Sequence, residues 1–358
     1  MQLNIYPALI DKYIFLRKRF LNSATPAQAI TDRSHGQVLI QEVTYKMDVF
    51  GPVQSRRFDL SLGINHLPPK TCTYSCVYCQ LGRTSIMTTN RAAFSEPQEI
   101  FQVINNRLKE LAREGVHPDT ITFVSNGEPT LDKSLGEAIR LIKPLGIQTA
   151  VITNASLLWH SDTRTQLMEA DIVSVKVDSV MEDTWHKVDR PHGTLRLDEI
   201  LNGIHRFAQT YRGKLFTETM LISGLNDTDA EAKAAVVFIG DLHPHTAYLA
   251  LPMRPPAEEW VHPPTEERLM AVFQIFKEHI PKVELLMDLP KTELPANDKP
   301  IQSLINTLNV HPLGKNEIET YLNSQNLDWK IIESLIKKKI LKSISTQGTE
   351  FFVRNYKK

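Results

Sequence analysis

The feature that most constrains this chain is an alternation. From about residue 49, short apolar runs alternate with longer amphipathic stretches of helical period. Strands are expected at 121–124, 149–152, 171–177, 216–222 and 247–251, and helices at 97–114, 133–144, 197–210, 229–240 and 265–279. Strand, helix and strand in this order form a right-handed crossover, and a succession of crossovers builds a parallel sheet. Six or so such units in about 240 residues suit an α/β fold closed into a partial or full (β/α) barrel rather than a flat sheet. Functional residues are then expected just beyond the C-terminal ends of the strands.

The flanks differ from this core. Residues 1–47 read as a helical N-terminal extension, with Ile5, Leu9, Ile10, Tyr13 and Leu16 on one apolar face. Residues 48–290 form the α/β core. Residues 291–300, polar and holding Pro295 and Pro300, read as a linker. In 301–358, short helices are expected at 300–307, 314–323 and 327–339, followed by a hairpin turning at Gln347-Gly348. Three helices and a hairpin make a winged-helix-like module.

Net charge is zero over the whole chain, which gives no prior for nucleic acid or membrane. Its distribution is uneven. Residues 1–47 carry six Lys/Arg against three Asp/Glu, residues 297–358 ten against six, and the middle is acidic. No apolar run reaches the roughly 18–20 residues that cross a bilayer, and the N-terminus does not read as a signal peptide. A cytoplasmic protein with no membrane partner is expected.

All three cysteines of the 358 residues, Cys72, Cys76 and Cys79, lie within one CxxxCxxC segment. An odd, tightly clustered set is no disulfide framework. Thiolates are soft ligands for zinc or for iron–sulfur clusters. A four-iron cluster normally takes four cysteines, so three would leave one iron with a coordination position for another ligand. Zinc would want a fourth protein ligand, for which His66 is the nearby candidate.

Three strand ends add polar residues. Val124-Ser125-Asn126-Gly127-Glu128-Pro129 follows the first expected strand. Asn154 ends the next, and Lys176, Asp178 and Ser179 the one after. A lysine in a buried strand needs a partner or a task. Asn154, Asp178 and Ser179 would serve equally as turn caps. Arg254, in the Pro-rich turn after 247–251, suits either a bidentate grip on a carboxylate or phosphate, or the surface.

With Tyr78 before its last cysteine, CxxxCxxC resembles the signature of the radical S-adenosylmethionine (radical SAM) superfamily. Asn126-Gly127-Glu128-Pro129 is similar to that family's GGEP motif, with Asn126 in place of the first glycine. The resemblance implies a barrel of the radical SAM type. Its [4Fe–4S] cluster would be held by Cys72, Cys76 and Cys79, with S-adenosyl-L-methionine on the open iron. It implies cosubstrate contacts at Gly127, Glu128, Asn154, Asp178 and Ser179, with Tyr78 and Ile222 near adenine and Lys176 as a catalytic contact. In that family, reductive cleavage of the cosubstrate yields a 5′-deoxyadenosyl radical that abstracts hydrogen from substrate. A reductant such as flavodoxin or ferredoxin would be a partner. Phe50-Gly51-Pro52-Val53-Gln54-Ser55-Arg56-Arg57, with Lys70-Thr71-Cys72 and Cys79-Gln80-Leu81-Gly82-Arg83, resembles a narrower, wyosine-synthase-like group. True wyosine synthases carry a second cluster on further cysteines, and this chain has none outside 72–79.

The substrate is not legible in these motifs. The C-terminal module leaves RNA and peptide open, because Lys337-Lys338-Lys339 closes a helix where cations also complement the dipole. The module is expected to bind or orient substrate and to be dispensable for radical formation. The alternative to an enzyme is a non-catalytic iron–sulfur or metal sensor that reads nucleic acid through this module.

Overall fold

The computed structural model describes residues 47–286, 300–346 and 348–355. The expected N-terminal helix and most of the expected linker lie outside the described residues.

A hairpin opens the core, with β1 (Asp48–Ser55) antiparallel to β2 (Asp59–Asn65). Two-residue strands β3 (Thr71–Cys72) and β4 (Ile86–Met87) follow. The alternation then runs α1 (Pro97–Arg113), β5 (Thr120–Phe123), α2 (Leu135–Ile142), β6 (Gln148–Thr153), α3 (Ser161–Leu167) and β7 (Ile172–Lys176). Next come α4 (Glu182–Asp189), α5 (Leu197–Thr210), β8 (Lys214–Met220), α6 (Asp229–Asp241), β9 (Thr246–Ala250), α7 (Glu266–Lys277) and β10 (Val283–Leu286). The large sheet is ordered β1-β2-β5-β6-β7-β8-β9-β10, parallel from β2 onward. Its end strands β1 and β10 do not pair, so the barrel is partial.

Local chemistry explains the elements. In β5 and β9 every residue is buried, as expected of parallel strands covered on both faces. Pro97 starts α1, whose buried stripe includes Ile100, Ile104 and Leu111. Thr228 and Thr265 cap α6 and α7 through their side-chain oxygens.

Elements without a strong local signal are the ones the periodicity does not show. Strand β1 contains Gly51-Pro52, which reads as a break but lies where the register shifts between Phe50 and Val53. Helices α3 and α4 are short and polar, and β10 has four residues.

The turn between β1 and β2 folds onto the concave face of the sheet. Phe58 packs there with Ala150, Ile172, Phe216, Tyr248 and Leu286, stacked on Phe216 with ring centroids 6.0 Å apart. The hairpin therefore fills the interior of the open barrel.

The C-terminal segment holds α8 (Pro300–Val310), β11 (Leu313–Gly314), α9 (Lys315–Ser324), α10 (Lys330–Lys337), β12 (Leu341–Thr346) and β13 (Thr349–Arg354). Its sheet order is β11-β13-β12. The three expected helices and the hairpin are present, joined by the short β11. Leu304, Leu308, Ile318, Leu322, Ile332 and Phe352 form a separate core, against which Val53 of β1 packs. Asn126 Nδ2 donates to the Asn309 carbonyl at 2.8 Å, and Asn309 Nδ2 to Asp48 Oδ2 at 2.9 Å. The module is thus bonded to the barrel next to the Gly127-Glu128 turn. Among the described residues no helix is long and apolar enough to cross a membrane.

Candidate active site

The concave face and the strand ends enclose a cavity of ≈ 380 Å³. Of the residues singled out in the sequence, Cys72, Cys76, Tyr78, Cys79, Gly127, Glu128, Asn154 and Lys176 line it. Three of the cosubstrate contacts implied by the resemblance do not. Ser179 turns to helix α6, donating to Glu231 at 2.7 Å and accepting from the Met181 amide, which is the turn-capping role. Asp178 is buried behind the wall, accepting from the Met220 amide at 2.7 Å and from the Tyr78 hydroxyl. Ile222 is fully buried with Val77, Tyr78, Val188 and Val261. Arg254 is buried and lines the cavity, so it is no surface arginine. His66 is buried beside Ser125 and Phe123, and the cavity wall does not include it.

The cysteine loop is fastened on two sides. On one, Thr71 bridges to Gly127, and the Glu128 amide donates to the Thr71 carbonyl at 3.1 Å. A Cβ on Gly127 would lie 1.8 Å from the Thr71 oxygen, so only glycine permits this approach. On the other, the amides of Ser75 and Val77 donate to the carbonyls of Asp189 and Val188 at 3.0 and 2.9 Å. Arg83 grips Glu258 with two hydrogen bonds of 2.7 and 2.9 Å, and Arg190 joins from the end of α4. These two guanidinium groups hold the Glu258 carboxyl down at about 2.

Glu128 is buried and satisfied within the protein. Oε1 accepts from the Thr130 amide at 3.0 Å and from the Thr130 and Thr153 hydroxyls, each at 2.6 Å. Oε2 accepts from the Asn154 amide at 2.7 Å. Three donors crowd Oε1, while Oε2 takes one and keeps an acceptor position open. The carboxylate thus ties the ends of β5 and β6 together. Burial pushes its pKa up, opposed by those donors. Asn154 in turn donates to Thr73 Oγ1 at 2.8 Å and reaches Cys72 Sγ at 3.6 Å.

Glu218, Arg57 and His311 of the wall, and Asp189 behind it, are given no role by any motif in the sequence. Lys176 lies over the Tyr78 ring, 4.7 Å from its centroid, and pairs with Glu218 at 3.1 Å. Arg57 pairs with the other oxygen of Glu218. Buried Asp189 accepts from Cys76 Sγ at 3.3 Å. His311, from the turn after α8, also lines the cavity. Only β8 pointing Glu218 inward and the module docking at the barrel rim reveal these neighbours.

Residues 67–236 match the Radical SAM superfamily. The fold is that of a radical SAM protein, and members of this superfamily are enzymes that use a [4Fe–4S] cluster and S-adenosylmethionine. The UPF0026 protein MJ1312 of Methanocaldococcus jannaschii is 38% identical over 310 residues, covering 86% of this chain and 96% of that one. A UPF0026 protein of Helicobacter pylori is 31% identical over 311 residues, 85% of this chain and 96% of its own. The chain belongs to the UPF0026 family. Among solved structures, a radical SAM methyltransferase from Sphaerobacter thermophilus is similar at 16% identity and a TM-score of 0.48, covering 63% of this chain and 66% of that one.

The donor set fits the cluster. All three cysteines line one cavity. Burial raises all three thiols, Cys72 to about 12, with the carboxylate of Glu128 adding to it. Thiolates form in such surroundings only against a strong positive partner, which iron supplies. Among the described residues no three His, Cys, Asp or Glu side chains converge on a single-ion position. A cube bound at three corners does not require such convergence.

Proposed function

We propose that this chain is a hydrogen-abstracting enzyme whose substrate shares the cavity with the cosubstrate. The observation that carries the reading is the meeting of all three cysteines with the Gly127, Asn154 and Lys176 strand ends in one cavity. When bound, the cluster and S-adenosylmethionine supply a 5′-deoxyadenosyl radical.

The protein's own residues hold and orient. Cys72, Cys76 and Cys79 are the iron ligands. Asn154 directs an amide N–H toward Cys72 Sγ, a contact that stabilises a thiolate. Gly127 presents backbone to the cosubstrate, and Tyr78 supplies an apolar wall for it. Asp178 and Ile222 act through Tyr78, one on its hydroxyl and one on its ring. Glu128 positions Asn154. Lys176, anchored by Glu218 but open to the cavity, is the charged group placed to touch substrate. An electron carrier of the flavodoxin or ferredoxin kind delivers the electron.

The test is anaerobic reconstitution, reduction and assay for 5′-deoxyadenosine. About four irons per chain and cosubstrate cleavage are expected, both lost in Cys76→Ala. Tight stoichiometric zinc without iron–sulfur absorbance would sink the reading. Deuterium passing from a cell-extract component into 5′-deoxyadenosine would then identify the substrate. The sensor alternative finds no support in a chain whose superfamily consists of enzymes.

A further inference from the structure

We propose that Arg254, with His311 beside it, binds an oxyanion of the substrate, a carboxylate or a phosphate, where the C-terminal module meets the barrel. This deepens the proposed function and rests on its placing the substrate in the same cavity.

The argument begins with charge balance. The cations around the cavity region mostly have a carboxylate, the exposed Arg83 included. Lys176 and Arg57 share Glu218, while Arg83 and Arg190 share Glu258. Arg254 is 8% exposed and lines the cavity, yet among the described residues no carboxylate forms an ion pair with it. The charge of Glu317 reaches it without forming an ion pair: Oε2 accepts from the Gly314 amide at 2.7 Å, closing the first turn of α9, and Oε1 is buried with no hydrogen-bond partner. One nitrogen of Arg254, Nη2, donates to His311 Nε2. The other, Nη1, is buried with no partner.

A buried guanidinium with a free nitrogen and no carboxylate in contact is costly unless something compensates it. The neighbourhood gives no relief. His311 is neutral there, since burial and the charges of Arg254 and Arg56 push its pKa well down. Burial likewise lowers Arg254 to about 10. An oxyanion in the cavity would supply the missing charge and an acceptor for Nη1. The planar fork of arginine suits both carboxylate and phosphate. His311 holds the fork by accepting from Nη2, so the module completes this part of the site. Arg254 lies in the turn after β9, whereas the residues proposed to hold cluster and cosubstrate come from β3 and the loop after it and from the ends of β5, β6 and β7. The anion is therefore assigned to the substrate.

The test uses the full chain and two probes, inorganic phosphate and acetate, titrated against chloride at matched ionic strength. Without cluster or cosubstrate, one of them should raise the thermal midpoint saturably. Phosphate alone would mark a phosphorylated substrate, and acetate a carboxylate. The effect should vanish in Arg254→Gln and weaken about tenfold in Arg254→Lys, which keeps charge but not the fork. The lysine variant decides the matter should the glutamine variant not fold. Absence of any saturable shift in the unaltered chain overturns the proposal, as does an undiminished shift in either variant. In reconstituted protein, the effective probe should leave S-adenosylmethionine affinity unchanged, whereas competition would assign Arg254 to the cosubstrate and overturn the proposal. Failure to assemble a cluster would count against the proposed function alone, since the anion titration needs none.

Discussion

At the residue scale, two positions decide how the cysteine loop sits. Gly127 has no room for a side chain, because a Cβ would lie 1.8 Å from a backbone oxygen that cannot swing aside. Gly127→Ala should cost about 1–3 kcal/mol, the usual cost of overpacking, and should lower iron retention with it. Thermal melts and iron per chain after reconstitution measure both, and a fully stable, iron-replete variant would show that the loop adjusts freely. Glu128, which the motif makes a cosubstrate contact, also accepts four hydrogen bonds from the protein. In Glu128→Gln an amide N–H₂ must face a donor, either the Asn154 amide or the groups around Oε1. A loss of roughly 1–3 kcal/mol in stability is expected, with weaker cosubstrate binding following from a displaced Asn154. Unchanged stability with lost binding would instead make the carboxylate a direct ligand contact.

At the element scale, the β1–β2 hairpin and the cysteine loop are held by opposite kinds of force. The hairpin is held by burial, with Phe58 stacked on Phe216 inside the open barrel. Phe58→Ala should cost about 3–5 kcal/mol and loosen Arg57 from Glu218. Urea unfolding measures the cost, and a change below ~1 kcal/mol would mean that the barrel closes without its plug. The loop is held partly by charge through Glu258. Its carboxyl is depressed from 4.5 to about 2 by Arg83 and Arg190, so the clamp's contribution is full above pH 4.5. It is lost as pH falls toward 2 and the folded carboxylate takes up its proton. Stability curves of cluster-free protein should therefore diverge between the unaltered chain and Glu258→Gln above pH 4.5 and converge toward pH 2. Parallel curves would show that the clamp adds nothing.

At the scale of the whole molecule, the C-terminal module is part of the cavity wall. Sequence alone makes it a detachable substrate-orienting unit, dispensable for radical formation. The structure instead bonds it to Asn126, beside the Gly127-Glu128 turn, and packs its core against Val53. Removing residues 300–358 takes away the acceptor of Asn126 and uncovers β1. The truncated chain should melt earlier and retain less iron than the full chain. Equal iron content and equal substrate-free cleavage would restore the dispensable reading.

What the sequence by itself determined is whatever repeats or clusters along the chain. Short apolar runs alternating with stretches of 3.6-residue period specify parallel α/β units, and three cysteines within eight positions specify the metal loop. Helix α5 is legible to its end residues, because its buried stripe of Leu197, Ile200, Ile204 and Phe207 is a local pattern. Tertiary structure alone decided which residues share a wall. Asp178 and Ser179 are neighbours in one strand-end turn, yet one holds Tyr78 and the other a helix, since adjacent side chains leave the backbone in different directions. Arg254 and His311 meet across 57 positions only because the sheet curves and the module docks at its open edge. Local periodicity records which face of an element is apolar. It carries no record of how far a sheet curls, and that curl sets which charges are buried together and which is left without a partner.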